Sequence, residues 1–190
     1  MDAAALTRAR AAVDAAHTAD PRSKDGVAGE IRYAERVEHW VRRLVTPASP
    51  VLLLAARAQH LERWAIPRSE FPEGRGGYLR WRSAVHERQG QRVREILAAA
   101  GCAADVAERV AVLVAKAAPR GDAEAQALED AACLVFLEQD LAPFAAQHPR
   151  EKALDVLRKT WRKMSPAGQQ AALALSLPDG VRALVAEAVG

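Results

Sequence analysis

The chain lacks the short motifs that identify the common nucleotide-binding and hydrolytic folds. It contains no P-loop, no GxSxG and no GxGxxG. The pair His86-Glu87 has Gly90 where an HExxH zinc motif needs its second histidine. The KMS tripeptide at 163–165 resembles part of a nucleotide-synthetase signature, but no predicted parallel sheet accompanies it. No motif therefore fixes a reaction.

Cysteines and long apolar runs are also few. Cys102 and Cys133 lie 31 positions apart in alanine- and leucine-rich surroundings, without a CxxC spacing or a nearby histidine. This setting predicts two reduced core residues rather than a zinc site. No run approaches 18 uninterrupted apolar residues, and the first ten residues contain no apolar signal region. We expect a cytoplasmic protein with no membrane partner.

Threonine, isoleucine and asparagine are scarce, whereas alanine, leucine, valine, arginine and glutamate dominate a chain of 190 residues. This composition favours helices over sheets, and apolar residues recur at spacings of three and four without strand-like alternation. The sequence predicts an all-α fold of about eight helices in one domain spanning 1–190. Val51 to Ala56 and Ala131 to Leu137 are apolar on every side, which is typical of central helices. Prolines and glycines predict loops over 65–77 and 141–149.

The formal net charge of +3 is small and does not indicate the dense basic face of a dedicated duplex-binding domain. The charge is nevertheless uneven. Nine arginines and four glutamates lie between Arg57 and Arg94. This excess predicts an electropositive patch on that segment.

A line of polar side chains continues from the first central helix, because Gln59, His60 and Arg63 share its face. Asp130 is predicted to point inward from the second central helix, so His60 and Asp130 could meet as a catalytic pair. A core histidine that is simply hydrogen-bonded is the alternative. A divalent metal is a further alternative, but a metal site needs about three protein ligands, and no ligand set is assigned.

Arg63, Arg68 and Arg82 are candidates to bind an anion, because guanidinium groups recognise phosphate or carboxylate with two parallel hydrogen bonds. Tyr78 could stack on a base, and Lys116 lies at the border of an inward-facing helix stripe. The predicted ligand-binding residues are Gln59, Arg63, Arg68, Tyr78, Arg82 and Lys116. The alternative is a solvated face with ordinary surface salt bridges.

The runs ARAQHLERWAIPR, GYLRWR, LEDAACLVFLE and TWRKMS resemble the domain-of-unknown-function 4202 family. The resemblance covers nearly the whole length. It implies no activity, because the family has none assigned.

The runs YAERVEHWVRRL, LLLAARAQH and LEDAACL also resemble three helices of the HD phosphohydrolase superfamily. The resemblance implies an HD-like helical bundle with Tyr33 in place of a histidine and Gln59-His60 in place of the His-Asp pair. Asp130 would be the retained aspartate. This pattern implies an altered or lost metal site beside a remaining phosphate-binding pocket.

Two functions follow as hypotheses. In the first, the protein binds an anionic, phosphorylated small molecule in an arginine- and histidine-containing pocket. If it is a degenerate phosphohydrolase, Asp130 and His60 would position or deprotonate water while the arginines stabilise charge on phosphoryl oxygens. In the second, a non-enzymatic module binds RNA or an acidic protein through the basic 57–94 surface.

Overall fold

The computed structural model describes residues 2–21, 23–24 and 27–190, and nearly all regular structure in these residues is helical. This confirms the predicted all-α class. The first half contains α1 (Ala3–Thr18), the two-residue antiparallel strands β1 (Ser23–Lys24) and β2 (Val27–Ala28), α2 (Gly29–Leu44), α3 (Pro50–Arg57) and α4 (Gly74–Ala99). The second half contains α5 (Ala104–Val114), α6 (Ala123–Val135), a π-helical segment (Phe136–Asp140), α7 (Leu141–Gln147), α8 (Arg150–Trp161), α9 (Pro166–Leu173) and α10 (Asp179–Val189).

Several helices begin at side chains that cap them. Asp2 accepts a hydrogen bond from the Ala5 amide at 2.7 Å, and Ser49 accepts one from the Leu52 amide at 3.0 Å. These oxygens satisfy backbone N–H groups that the first turn of a helix leaves unpaired. Asp122 and Ser165 cap α6 and α9 in the same way.

The described residues form ten α-helices rather than the predicted eight. The segment expected as a loop after Leu141 is α7, which the π-helical segment joins to α6. Pro143 lies just after the π-helical segment, where the backbone hydrogen-bond pattern changes register, and a residue without an N–H is tolerated there. The predicted loop over 65–77 contains two short 3₁₀ turns, Arg63–Ala65 and Arg68–Glu70, and α4 begins earlier, at Gly74.

One hydrophobic cluster extends from α1 to α10, with α3 at its centre. Leu52, Leu54 and Ala55 are at most 1% exposed, as their apolar surroundings in the sequence predicted. Both cysteines are free; Cys133 is buried, whereas Cys102 is only half-buried.

The long helix α4 packs closely along α5. A Cβ atom on Gly90 would lie 2.9 Å from the Cβ of Ala115, so only glycine allows this approach. The contact brings the end of α5 beside the middle of α4. None of the helices in the described part of the chain combines the length and hydropathy needed to span a bilayer.

Candidate functional site

A cavity of about 320 Å³ opens between α2, α4, α6 and the turns that follow α3, α5 and α8. Its volume falls within the usual range of small-molecule sites. The wall formed by α4 consists of Tyr78, Trp81, Arg82, Val85, His86 and Gln89. The other walls consist of Tyr33, Gln59, His60, Arg63, Val114, Lys116, Glu129, Ala132, Cys133, Phe136, Thr160 and Lys163.

Six of the eight predicted site residues line this cavity: Gln59, His60, Arg63, Tyr78, Arg82 and Lys116. Arg68 does not. Its guanidinium donates to the carbonyl oxygens of Phe71 at 2.8 Å and Pro72 at 3.0 Å. Arg68 therefore holds its own loop together.

Asp130 is buried, as predicted, but it faces α9 rather than His60. Its carboxylate accepts hydrogen bonds from the amide of Ser165 at 2.8 Å, from the Ser165 hydroxyl at 2.5 Å and from Gln126 at 2.9 Å. A Cβ atom on Gly168 would lie 2.6 Å from its Cγ, so α9 begins directly against the carboxylate. The preceding residue, Glu129, lines the cavity instead, because consecutive helical side chains point about 100° apart.

His60 lies between a carboxylate and a guanidinium. Its Nδ1 is 3.2 Å from Glu30 Oε2, and its Nε2 is 3.2 Å from Arg63 Nη1. Because a guanidinium only donates, Nε2 must accept, and the imidazole proton is on Nδ1. Burial lowers the pKa of His60, which favours this neutral form. The Tyr33 ring stacks on the imidazole at a centroid distance of 3.9 Å. His60 is thus held in one orientation and itself orients Arg63.

The turn after α3 is fixed to α4 by four further contacts. Arg63 lies over the ring of Trp81, 5.1 Å from its centroid, and the Trp81 indole donates to a carbonyl of the same turn at 2.9 Å. Glu62 accepts hydrogen bonds from Arg88 at 2.8 Å and from Arg92 at 2.9 Å. These contacts give the Arg63 guanidinium a defined position at the cavity.

Two residues that line the cavity have left-handed backbone conformations, His60 with φ of 61° and Lys116 with φ of 57°. Lys116 follows the end of α5, where glycine is the usual residue, and the Ala117 amide bonds to the Val112 carbonyl at 3.0 Å. Such conformations cost non-glycine residues roughly 1–3 kcal/mol. Glu62, with φ of 46°, has the same conformation in the turn after α3 but does not line the cavity.

Four cations and one carboxylate line the cavity among the residues that the structure describes. The cations are Arg63, Arg82, Lys116 and Lys163, and the carboxylate is that of Glu129, which leaves an excess of three positive charges. Glu129 pairs with Lys116 at 3.0 Å and Lys163 at 3.6 Å. Burial alone would raise the pKa of Glu129, but these cations lower it, so the carboxylate is ionised. Arg82 makes no hydrogen bond or ion pair with any described residue.

The most buried polar side chains of the cavity are uncharged. Gln89 is 4% exposed, and its amide nitrogen has no hydrogen-bond partner among the described residues. An unpaired buried amide costs about 1–3 kcal/mol. Burial, together with Arg82 and Lys116, lowers the pKa of His86 to about 4, so this imidazole is neutral at pH 7. Burial also raises the pKa of the Cys133 thiol to about 12, which keeps it protonated.

The cavity also contains residues that sequence reasoning did not assign to a site. Glu129, Cys133 and Phe136 follow one another at helical spacing, a signal that would have placed them on one face. Lys163 belongs to the KMS tripeptide. Rejection of the nucleotide-synthetase signature therefore also excluded Lys163 from the predicted site. Glu30 does not line the cavity but contacts His60 at 3.2 Å, and no local signal predicts this contact, because it depends on packing of α2 against the turn after α3. No cluster of three His, Cys, Asp or Glu side chains suited to a metal ion occurs in the described ranges.

The fold and this site define an all-helical protein with a cation-lined cavity of small-molecule size. The family model described as Domain of unknown function (DUF4202) matches residues 7–185. The chain belongs to this family, which confirms the resemblance seen in its sequence. No curated protein and no solved structure matches the chain. The relation to the HD superfamily stays a prediction.

Proposed function

We propose that this protein binds a small phosphorylated molecule in the cavity. The observation that carries the proposal is that four cations from four separate segments line one cavity, with a single carboxylate beside them among the described residues. A phosphate group carries about two negative charges at neutral pH and would offset most of the excess. Arg82, which has no hydrogen-bond or ion-pair partner among the described residues, would supply the planar pair of donors that a phosphate accepts.

The partners and exposure of the nine arginines between 57 and 94 favour this cavity, rather than an extended basic surface, as the binding site. Five of the nine arginines between 57 and 94 are engaged within the protein: Arg57, Arg68, Arg88, Arg92 and Arg94. Two more line the cavity, and Arg75 and Arg80 remain exposed on the first turns of α4. A surface that binds RNA would need a larger set of exposed arginines.

Binding, rather than hydrolysis, is the function that we propose. The hydrolytic hypothesis gave His60 and Asp130 the task of activating water. Asp130 bonds to the start of α9, and the Nε2 atom of His60 accepts a hydrogen bond from Arg63. His60 is better suited to orient Arg63 than to remove a proton.

The test is the melting temperature of the purified protein with inorganic phosphate, sugar phosphates and nucleotides, each with and without Mn²⁺. A compound present at 100 times its Kd adds about 2.7 kcal/mol of stability, which corresponds to several degrees. We expect Arg82→Ala to lose this increase. Arg80→Ala is the matched control, because Arg80 is exposed on the same helix.

The proposal fails if no phosphorylated compound raises the melting temperature, or if Arg80→Ala loses the effect as fully as Arg82→Ala. Release of inorganic phosphate from a stabilising ester would show that the protein is an enzyme rather than a binder. An increase that requires Mn²⁺ would show that a metal takes part.

A further inference from the structure

We infer that the ligand is the phosphate ester of a hydroxylated molecule, such as a sugar, and that Gln59 and Gln89 bind a hydroxyl at its uncharged end. This inference rests on the proposed function and adds the part of the ligand that the cations do not explain.

Exposure divides the cavity into a charged outer part and an uncharged inner part. The side chains of Lys116 and Lys163 are 26% and 48% exposed. Gln59 and Gln89, in contrast, are only 5% and 4% exposed. A phosphate bound by the cations therefore lies toward the opening, and the rest of the ligand extends toward the two amides.

The two glutamines offer complementary hydrogen-bonding atoms. Gln59 uses its amide nitrogen to donate to the Ala55 carbonyl at 3.1 Å, so its oxygen is the atom that remains to accept. Gln89 has an amide nitrogen without an acceptor, and rotation of its side chain would turn this donor into the cavity that it lines. A hydroxyl both donates and accepts, so it satisfies both glutamines.

His86 also lines the cavity on the same face of α4, one turn from Gln89. Burial and the neighbouring cations keep its imidazole neutral at pH 7. The inner part of the cavity therefore contains uncharged donors and acceptors, which suit a hydroxyl. They do not compensate the charge of a second phosphate group.

The experiment is titration calorimetry with inorganic phosphate, pyrophosphate, ribose 5-phosphate, glucose 6-phosphate and glycerol 3-phosphate. We expect at least one of the three esters to bind about tenfold or more tightly than inorganic phosphate, since each well-made hydrogen bond is worth up to about that factor. Gln89→Leu should remove about this gain while changing the affinity for inorganic phosphate less than about twofold. Gln91→Leu is the control, because Gln91 is exposed on the same helix.

A second variant, Gln89→Met, guards against misfolding. It fills a similar volume and removes the unpartnered amide, so the ligand-free melting temperature should stay equal or rise. Its ester affinity should fall as in Gln89→Leu.

The outcomes separate the two proposals. If inorganic phosphate binds but none of the esters binds more tightly, the inference is overturned and the proposed function stands. The same holds if pyrophosphate exceeds every ester, or if both Gln89 variants weaken inorganic phosphate and esters equally. If no phosphorylated probe binds the unaltered protein, both proposals fall.

Discussion

Two groups of arginines in this molecule differ in how their charges are balanced. In the Arg57 cluster, Arg57, Arg10 and Arg42 meet Asp14, Glu35 and Glu38, three cations against three carboxylates. In the cavity, the described residues provide four cations and one carboxylate. The two groups look alike in the sequence, since both contain arginines from the same basic stretch. Their partners separate an arginine that stabilises the fold from one that is available to a ligand.

The balanced cluster has a buried centre, Arg57 and Glu38, whereas its outer members Arg10, Arg42 and Glu35 are 40%, 52% and 55% exposed. The Arg57 side chain is 5% exposed, and its Nε donates to Asp14 at 2.5 Å. Burial alone would lower the pKa of Arg57, but the hydrogen bond and attraction from Asp14 raise it above its ordinary value. In the cavity the cations repel one another, and an anion would relieve that repulsion.

The largest effect is expected from Arg57→Ala. Removal of the guanidinium takes a shared partner from Asp14, Glu35 and Glu38, and breaking a fully buried pair costs about 3–5 kcal/mol. Because Glu38 keeps Arg10 and Arg42 and Glu35 is 55% exposed, we expect a loss at the lower end of that range. Urea denaturation would measure the loss in free energy of unfolding. Arg75→Ala, at an exposed position of α4, should change it by less than about 0.5 kcal/mol. A loss below about 1 kcal/mol for Arg57→Ala would show that Arg57, like the cavity arginines, contributes little to the stability of the fold.

This difference could not be predicted from local sequence. The partners of Arg57 lie 22 and 43 positions away, on α2 and α1, so counting charges within 57–94 included Arg57 in the electropositive patch. Asp130 shows the same limit, since its main partner, Ser165, lies 35 positions along the chain. Only the packing of distant helices identifies these partners.

The parts that were predictable carry local signals. Aspartate and serine are residue types that favour helix N-caps, and Asp2 and Ser49 do cap α1 and α3. Gln59, Arg63 and Arg82 interrupt or extend apolar helical stripes, which is why they were assigned to a site and do line the cavity. Polar side chains that continue a buried stripe predicted which residues line the cavity. The number of arginines in the segment did not.

A smaller effect on stability is expected from Asp130→Ala. Its carboxylate accepts hydrogen bonds from uncharged donors on Ser165 and Gln126. Hydrogen bonds to a charged group contribute about 1.5–3 kcal/mol. We expect a loss of that size in urea denaturation, with the affinity for phosphate unchanged, because Asp130 bonds to α9 and not to the cavity. If phosphate binding or turnover disappears while stability is retained, Asp130 is catalytic, as the HD-like hypothesis has it.

Acidification should reduce stability through a histidine in each region, His17 beside Arg57 and His86 in the cavity. A bound anion should reduce only the loss that arises in the cavity. Burial lowers the pKa of His17, whose Nε2 donates to the Arg57 carbonyl at 2.9 Å, and burial and cations lower that of His86 to about 4. The unfolded chain takes up these protons near pH 6.5 and the native state only at lower pH. Stability is therefore full above about pH 6.5 and falls as the pH decreases toward the native pKa values.

Sulfate distinguishes the two histidines, because it does not titrate in this range. Bound near Arg82 and Lys116, it would raise the pKa of His86 and reduce the loss of stability between about pH 7 and pH 5. The measurement is the melting temperature across that range, with and without sulfate. The variant His86→Gln reports the general stabilisation by sulfate together with the contribution of His60, whose pKa burial also lowers in the same cavity. The variant His17→Gln should keep the sulfate effect. Equal protection in the presence and absence of His86 would contradict an anion site beside it.

The smallest change in stability is expected from Arg82→Ala, although it deletes the same guanidinium as Arg57→Ala. Arg82 has no partner in the described structure, and the cations Arg63 and Lys116 also line its cavity. Its removal forfeits packing of the side-chain stem but relieves repulsion between like charges. We expect the free energy of unfolding at low salt to stay within about 0.5 kcal/mol of its original value or to rise slightly. Added salt should reduce any gain, since it screens partly exposed charges. A loss above about 1 kcal/mol would mean that Arg82 stabilises the fold as Arg57 does, and the contrast between the two groups would then no longer identify a binding site.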